Sequence, residues 1–301
     1  MLKLGQLSSA ELADGLASGL TLTTGPFRFR IQSRRQNVVR ALRTLYEDYS
    51  VDSDRGFRDF HVRIDRVPGF RGWCRPQVSF TLDGEAPLLP LPADHAFAML
   101  EWGMNWCIAN HANQFLLLHA AVLERNGRCV ILPGDPGAGK STLTAALMLS
   151  GWRLLSDELT MIDIDDGLVV PLARPVSLKN QSIDIIRSFD SSAVFGEASR
   201  YTHKGTVAHL RASAESVARI DEKGQPAHIV FPRWQDGATT ELTRHSKADA
   251  FIHAATHAFN YSLLGRKGFE LNAALIDGCD CWDFRYSRLD DALRVFEGLV
   301  A

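Results

Sequence analysis

Gly134-Asp135-Pro136-Gly137-Ala138-Gly139-Lys140-Ser141 matches the phosphate-binding pattern G-x-x-x-x-G-K-[ST] at every fixed position. The run before it, Cys129-Val130-Ile131-Leu132, is short, apolar and rich in β-branched residues, which predicts a buried strand. The run after it, residues 142–149, predicts a helix. The context is therefore strand, glycine loop, helix. Glycine carries no Cβ, so the backbone can approach phosphate oxygens closely. The loop N–H groups and the positive end of the helix dipole face the anion. In this pattern the lysine, Lys140, reaches the β- and γ-phosphates, and the hydroxyl, Ser141, binds Mg2+. The loop residues from Gly134 to Ser141, together with Thr142, are expected to hold a nucleotide, with ATP and Mg2+ as cofactors.

Working outward, residues 115–124 form an apolar strand, and Asn126-Gly127 turns it into the strand feeding the loop. Gly151 stops the loop helix. Residues 152–156 read as a strand with Asp157 and Glu158 at its end, and residues 159–164 and 168–170 flank a second hairpin turn at Asp165-Asp166-Gly167. A basic turn over 174–179 and a polar, glycine-punctuated loop over 190–206 follow. Residues 228–231 are a strand, with 239–243 its expected partner. Helices are expected over 247–264, 268–276 and 289–299, with a strand over 282–286.

Toward the N-terminus, Ser8-Ser9-Ala10-Glu11 is a capping box that opens a helix to about Ser18. Residues 27–31, 60–67 and 78–82 alternate as strands, 38–46 have helical spacing, and a proline-rich stretch at 87–92 precedes a long helix over 94–112. Residues 1–112 thus read as a small α/β lobe with no motif tied to chemistry, and residues 113–301 as the lobe that carries the phosphate loop.

With 301 residues, 46% hydrophobic and 23% charged, the chain has the composition of a globular protein able to bury a full core. A net charge of −2 gives no basis for nucleic-acid or membrane-surface binding, and no apolar run is long enough to span a bilayer. The first residues lack a signal-peptide core. Cys74, Cys107, Cys129, Cys279 and Cys281 are odd in number and scattered, which suits idle thiols in a reducing cytoplasm.

Beside a bound phosphate, a carboxylate such as Asp157 either holds Mg2+ or takes the proton from an attacking hydroxyl. Ser141, Asp157 and Glu158 are the candidate metal ligands. His119 is either a core histidine or a group beside the γ-phosphate. With Asp157 and Lys140 it completes the candidate catalytic set.

Leu118-His119-Ala120, then the loop, then Leu154-Leu155-Ser156-Asp157-Glu158 resemble the HPr kinase/phosphorylase family over about residues 115–180. That family shares its hairpin-then-phosphate-loop order with phosphoenolpyruvate carboxykinases. The resemblance implies that Asp157 is the base toward a substrate serine, that His119 is the family histidine and that Ser141 is the metal-binding hydroxyl. The chain most resembles the branch called HprK-related kinase A, through Arg174-Pro175-Val176-Ser177-Leu178-Lys179 and the segments 204–210 and 259–265. That branch resembles components of peptide-modification gene neighbourhoods, and some related kinases act on a precursor-peptide serine.

One departure stands out. HPr kinases proper carry glutamates near the metal where this chain has Arg174 and Lys179. It speaks against HPr itself as substrate and against the reverse phosphorylase reaction. These cations, with His203 and Lys204, either hold substrate or phosphate oxygens or lie on a solvated surface.

The expected protein is α/β: a small N-terminal lobe plus a P-loop kinase lobe of the HPr kinase/phosphoenolpyruvate carboxykinase-like type. It would be a cytoplasmic serine kinase acting on a peptide or small protein, with homo-oligomerisation allowed. The alternatives are a small-molecule kinase and a nucleotide-binding regulatory module without transfer.

Overall fold

The computed structural model describes residues 2–52, 56–67, 75–135 and 137–301. Cys74 and Pro136 lie outside the described residues. The fold is mixed α/β with four sheets among them.

The N-terminal residues build a seven-stranded sheet, ordered Leu2–Lys3, Ser50–Asp52, Leu20–Thr24, Phe27–Ser33, Phe60–Arg66, Gln77–Leu82, Leu91–Pro92. Alternation orients it: Phe27, Phe29 and Ile31 are buried, while Arg28, Arg30 and Gln32 point the other way. Its single parallel pair joins Phe27–Ser33 to Phe60–Arg66 through the helix Gln36–Leu45. The capping box is present, with Ser8 Oγ accepting from Glu11 N–H at the start of the helix Ser9–Ser18. The long helix Ala96–His111 packs across Phe60–Arg66 and Gln77–Leu82.

The phosphate-loop strand lies inside a six-stranded sheet, ordered Arg153–Ser156, Ala120–Arg125, Arg128–Pro133, Gln225–Trp234, Asp280–Tyr286, Glu241–Arg244. Asn126 and Gly127 both take positive φ, 55° and 76°, as a tight hairpin turn between right-twisted strands requires. Alternate residues of this hairpin enter different cores. Leu123, Val130 and Leu132 join the large cluster that continues into the N-terminal sheet. Val122, Cys129 and Ile131 join a second cluster with Leu271, Leu275 and Ile276. Burial on both faces accounts for the unbroken apolar character of the strands. The four described cysteines are buried and unpaired. Among the described residues no helix is long and apolar enough to cross a membrane.

Several expectations are corrected. The strand expected over 115–124 breaks at His119. Phe115–Leu118 pairs with Thr160–Asp163 in a three-stranded sheet, and Ala120–Arg125 enters the six-stranded one. The apolar residues on both sides of the half-buried His119 are buried alike, and nothing in their pattern announces this change of sheet. At the break, His119 N–H donates to the His257 carbonyl at 3.1 Å. The expected turn at 174–179 holds the strand Val176–Lys179, paired with Gly205–Leu210. The expected loop over 190–206 ends in a hairpin strand, Ser199–Thr202, with His203 and Lys204 at its turn. The helix Gln181–Phe189 was not expected. Glu241–Arg244 pairs with Asp280–Tyr286 and not with the 228–231 segment. The long helix over 247–264 is two helices, Lys247–Thr256 and Tyr261–Gly278, the second kinked where Gly265 takes φ 56°.

Candidate active site

The phosphate loop runs from the end of Arg128–Pro133 into the helix Lys140–Leu149. Gly139 takes φ 85° at the helix start, and a Cβ there would lie 2.7 Å from Tyr286 Oη and 2.8 Å from Trp234 Cβ. Glycine is therefore needed for both backbone and space. The loop is pinned on several sides. Trp234 N–H donates to the Ala138 carbonyl at 3.0 Å, and Tyr286 Oη donates to the Gly139 carbonyl at 3.3 Å. Asp135 is paired with His257 Nε2 at 3.2 Å. Gly139 offers no side-chain cap to the helix, so its first N–H groups stay available to an anion.

The loop forms one wall of a cavity of about 1000 Å³. Lys140, Ser141, His119, Glu158, Ser177 and Lys179 border the end nearest the loop. Thr142 also lines the cavity, and its Oγ1 donates to Ser182 Oγ at 2.8 Å. Ile185, Phe189, Trp234 and Leu289 add apolar lining. A second depression of about 520 Å³ lies on the N-terminal sheet, but its charges serve one another: Arg63 pairs with Asp65, and Arg30 bonds the Ser18 carbonyl.

Local geometry aims the acidic pair. The register of Arg153–Ser156 slips between Leu154 and Ser156. Ser156 Oγ then donates to the Leu159 carbonyl at 2.7 Å and accepts from Leu159 N–H at 3.1 Å. This tight turn sends the two carboxylates to different neighbours. Asp157 Oδ2 accepts from Ser177 N–H at 3.0 Å, and Glu158 Oε2 accepts from Asn105 Nδ2 at 2.7 Å.

Three buried polar atoms in this region have no hydrogen-bond partner: Lys140 Nζ, Asp157 Oδ1 and Ser177 Oγ. Unsatisfied buried groups are costly, so their clustering marks a place built for a polar ligand. Burial lowers the Lys140 ammonium pKa, against the opposing pull of Asp157 and Glu158. Burial, then the Glu158 charge, pushes Asp157 up to about 6, despite Lys140. Burial would also raise Glu158, but Lys204, Lys179 and Lys140 together hold it below its ordinary value. Burial and the Lys140 charge lower His119 to about 4, so its ring is neutral at pH 7.

The sequence candidates divide accordingly. Asp157, Glu158, Lys140, Ser141 and His119 come together. Lys179 borders the same cavity. Lys204 lies beside Glu158, and both Lys204 and His203 lie against Trp102, with the Lys204 ammonium 5.4 Å from the ring centroid and the His203 ring 5.2 Å away. Arg174 is different. Its guanidinium is buried and bonds Glu101, Tyr46 and Asn105, which leaves it occupied by residues of the N-terminal part of the chain instead of facing the cavity.

Ser177, Asn105 and Trp102 were missed as individual site residues. Ser177 sits inside the basic stretch 174–179, whose cations draw the eye first, and nothing local marks the other two.

Among the described residues no group of three or more His, Cys, Asp and Glu is placed to hold a metal. Two carboxylates and the Ser141 hydroxyl fit Mg2+, which usually takes one or two protein carboxylates and completes its shell with water and phosphate oxygens. The orphaned Asp157 Oδ1 is the observation that fits such a role.

No family model matches the chain, and no curated protein sequence matches it. Among solved structures it is similar to the Hpr(Ser) kinase/phosphatase from Coxiella burnetii at 11% identity, covering 61% of this chain and 93% of that one, with a TM-score of 0.26. Likeness at that level leaves the function to be read from the site itself.

Proposed function

We propose that this chain is an ATP- and Mg2+-dependent kinase that transfers the γ-phosphate to a serine hydroxyl of a peptide or small protein. The observation that carries the reading is the unpartnered Lys140 ammonium buried behind a phosphate loop, next to a buried Asp157 with a free oxygen. The former suits phosphate oxygens, and the latter suits a hydroxyl proton. The hairpin, loop and acidic strand end that resemble HPr kinases support the same assignment, and the kinase lobe type is proposed with it. The serine acceptor rests on that resemblance.

In this reading the triphosphate lies along the loop with the nucleoside toward Ile185 and Phe189. Asp157 Oδ1 accepts the proton of the acceptor hydroxyl as its oxygen bonds to the γ-phosphorus. The bond from that phosphorus to the β–γ bridging oxygen breaks, and ADP leaves with the electron pair. Lys140 stabilises charge on the transferred group, with Lys179 beside it. Bound Mg2+ would neutralise phosphate charge, held by Ser141 and Glu158. A carboxyl titrating near 6 is well matched to accept a proton at neutral pH. Neutral His119 accepts or donates a hydrogen bond there without adding charge.

The test is incubation with γ-labelled ATP, Mg2+ and serine-bearing peptides, followed by mapping of the label. Transfer to a small molecule only would replace the acceptor class, and nucleotide binding without transfer would reduce the chain to a regulatory module. Lys140→Ala should weaken ATP binding by roughly ten- to a hundredfold, the range for a charge-assisted hydrogen bond. An unchanged ATP dissociation constant would exclude this loop as the nucleotide site.

A further inference from the structure

The N-terminal lobe, which carries no chemical motif of its own, reaches the acidic pair. The helix Ala96–His111 supplies Glu101 and Asn105 on one face, four residues apart, as helical spacing allows. Arg174 Nη1 donates to Asn105 Oδ1 at 2.6 Å, and Asn105 Nδ2 donates to Glu158 Oε2 at 2.7 Å. Behind them Glu101 accepts from Arg174, and from Tyr46 Oη at 2.6 Å. A continuous path of hydrogen bonds therefore runs from Tyr46 through Glu101, Arg174 and Asn105 to Glu158. Its elements come from both halves of the chain.

The chemistry fixes the direction of each bond. A guanidinium only donates and a carboxylate only accepts. The Asn105 amide can satisfy both neighbours in one orientation only, with oxygen toward Arg174 and nitrogen toward Glu158. Flipping it would break both bonds. Glu158 also faces Lys204, Lys179, Lys140, His119 and Asp157. Four of these are cationic or basic, and each would draw the carboxylate its own way. Asn105 is the neutral contact that holds one oxygen at a set point.

We propose that Asn105 is a positioning residue: locked by Arg174, it orients Glu158 beside the phosphate-loop cavity, so that the N-terminal lobe completes the active site. The inference rests on the kinase reading for its kinetic consequence, whereas the hydrogen bond it invokes is testable without turnover.

Asn105→Asp keeps an oxygen for Arg174 and sets a carboxylate against Glu158. The kcat for transfer should fall about ten- to a hundredfold, the span usual for partners that orient ligand-holding carboxylates. The KM for ATP at saturating Mg2+ should stay within about twofold, because the loop and Lys140 are untouched, while the Mg2+ needed for half-maximal turnover should rise. The thermal midpoint should fall as well. Asn105→Asp combined with Glu158→Gln restores a donor–acceptor pair with reversed polarity. The double variant should melt above the sum of the two single effects. Its turnover should remain low, since the Glu158 charge is gone.

Wild-type kcat in Asn105→Asp, or midpoint effects that simply add, would overturn the proposal while leaving the kinase reading intact. A wild-type chain that transfers no phosphate would overturn the kinase reading and the kinetic claim with it. The melting cycle would then decide alone whether Asn105 holds Glu158.

Discussion

Asp157→Asn is expected to bind ATP nearly normally and to lose phosphoryl transfer by about a hundredfold to ten-thousandfold, the range for loss of a positioned general base. Asparagine keeps the shape and can still accept from Ser177 N–H, but it cannot take a proton from the acceptor. Ser141→Ala is the comparison. Its hydroxyl is assigned to the metal alone, so its loss should appear as weaker Mg2+-dependent nucleotide binding. Isothermal titration with and without Mg2+, beside single-turnover transfer, separates the two. A shared loss of Mg2+ affinity would make Asp157 a ligand and not a base. Full transfer in Asp157→Asn would remove it from the mechanism.

The same variant should be more stable than the wild type above pH 6. Asp157 titrates near 6 in the folded chain, against an ordinary value of 3.8. The folded state therefore binds more protons than the unfolded one between these values, and stability is lost as pH rises through them. The ionised, buried carboxylate corresponds to up to about 3 kcal/mol of destabilisation in the metal-free protein. Asparagine has no such charge to bury. The stability gap between variant and wild type should open from pH 4 to pH 7 and close again on acidification. Chemical denaturation of the metal-free chains at pH 4 and pH 8 measures it, and a gap independent of pH would show that Asp157 is not buried as a charge. A site that is more stable without its own carboxylate is one organised for a ligand.

Arg174→Ala should have the largest effect on stability. Arg174 is 5% exposed and Glu101 is 4% exposed, so removing the guanidinium leaves Glu101 buried without its counter-ion. Breaking a buried ion pair from one side costs about 3–5 kcal/mol, out of a total of about 5–15 kcal/mol for an ordinary domain. Lysine should not restore the loss, because one ammonium cannot reproduce the fork that meets Glu101, Tyr46 and Asn105 together. Replacing both partners, Arg174→Met with Glu101→Leu, should recover much of it. Urea denaturation reads all three. A change below about 1 kcal/mol in Arg174→Ala would mean that the guanidinium is free to serve the cavity after all, since only exposed pairs are worth so little.

Local chemistry determined part of this protein. The hairpin at Asn126-Gly127, the strand into the loop and the helix after it follow from signals within a few residues, because turn conformation, strand burial and helix entry are set by immediate neighbours. The capping box at Ser8 and the alternation at 27–33 belong to the same class. Lys140 and Ser141 were legible as candidates because they fill fixed positions of the glycine-loop pattern, and the Asp157-Glu158 pair because it sits at a strand end.

The tertiary structure decided what those residues meet. No periodicity tells an apolar run that it must leave one sheet for another at His119, since both halves are equally buried. Glu241–Arg244 fits either neighbouring strand by pattern, and the order of the sheet selects Asp280–Tyr286. By sequence, Arg174 in its basic stretch is either a cation for phosphate or a solvated surface charge. It became the counter-ion of Glu101 because folding brings together two residues far apart in the chain, and a buried carboxylate is costly without a paired charge. Asn105 owes its contact with Glu158 to the same meeting of distant segments. A hydrogen bond between distant segments leaves no trace in the spacing of either.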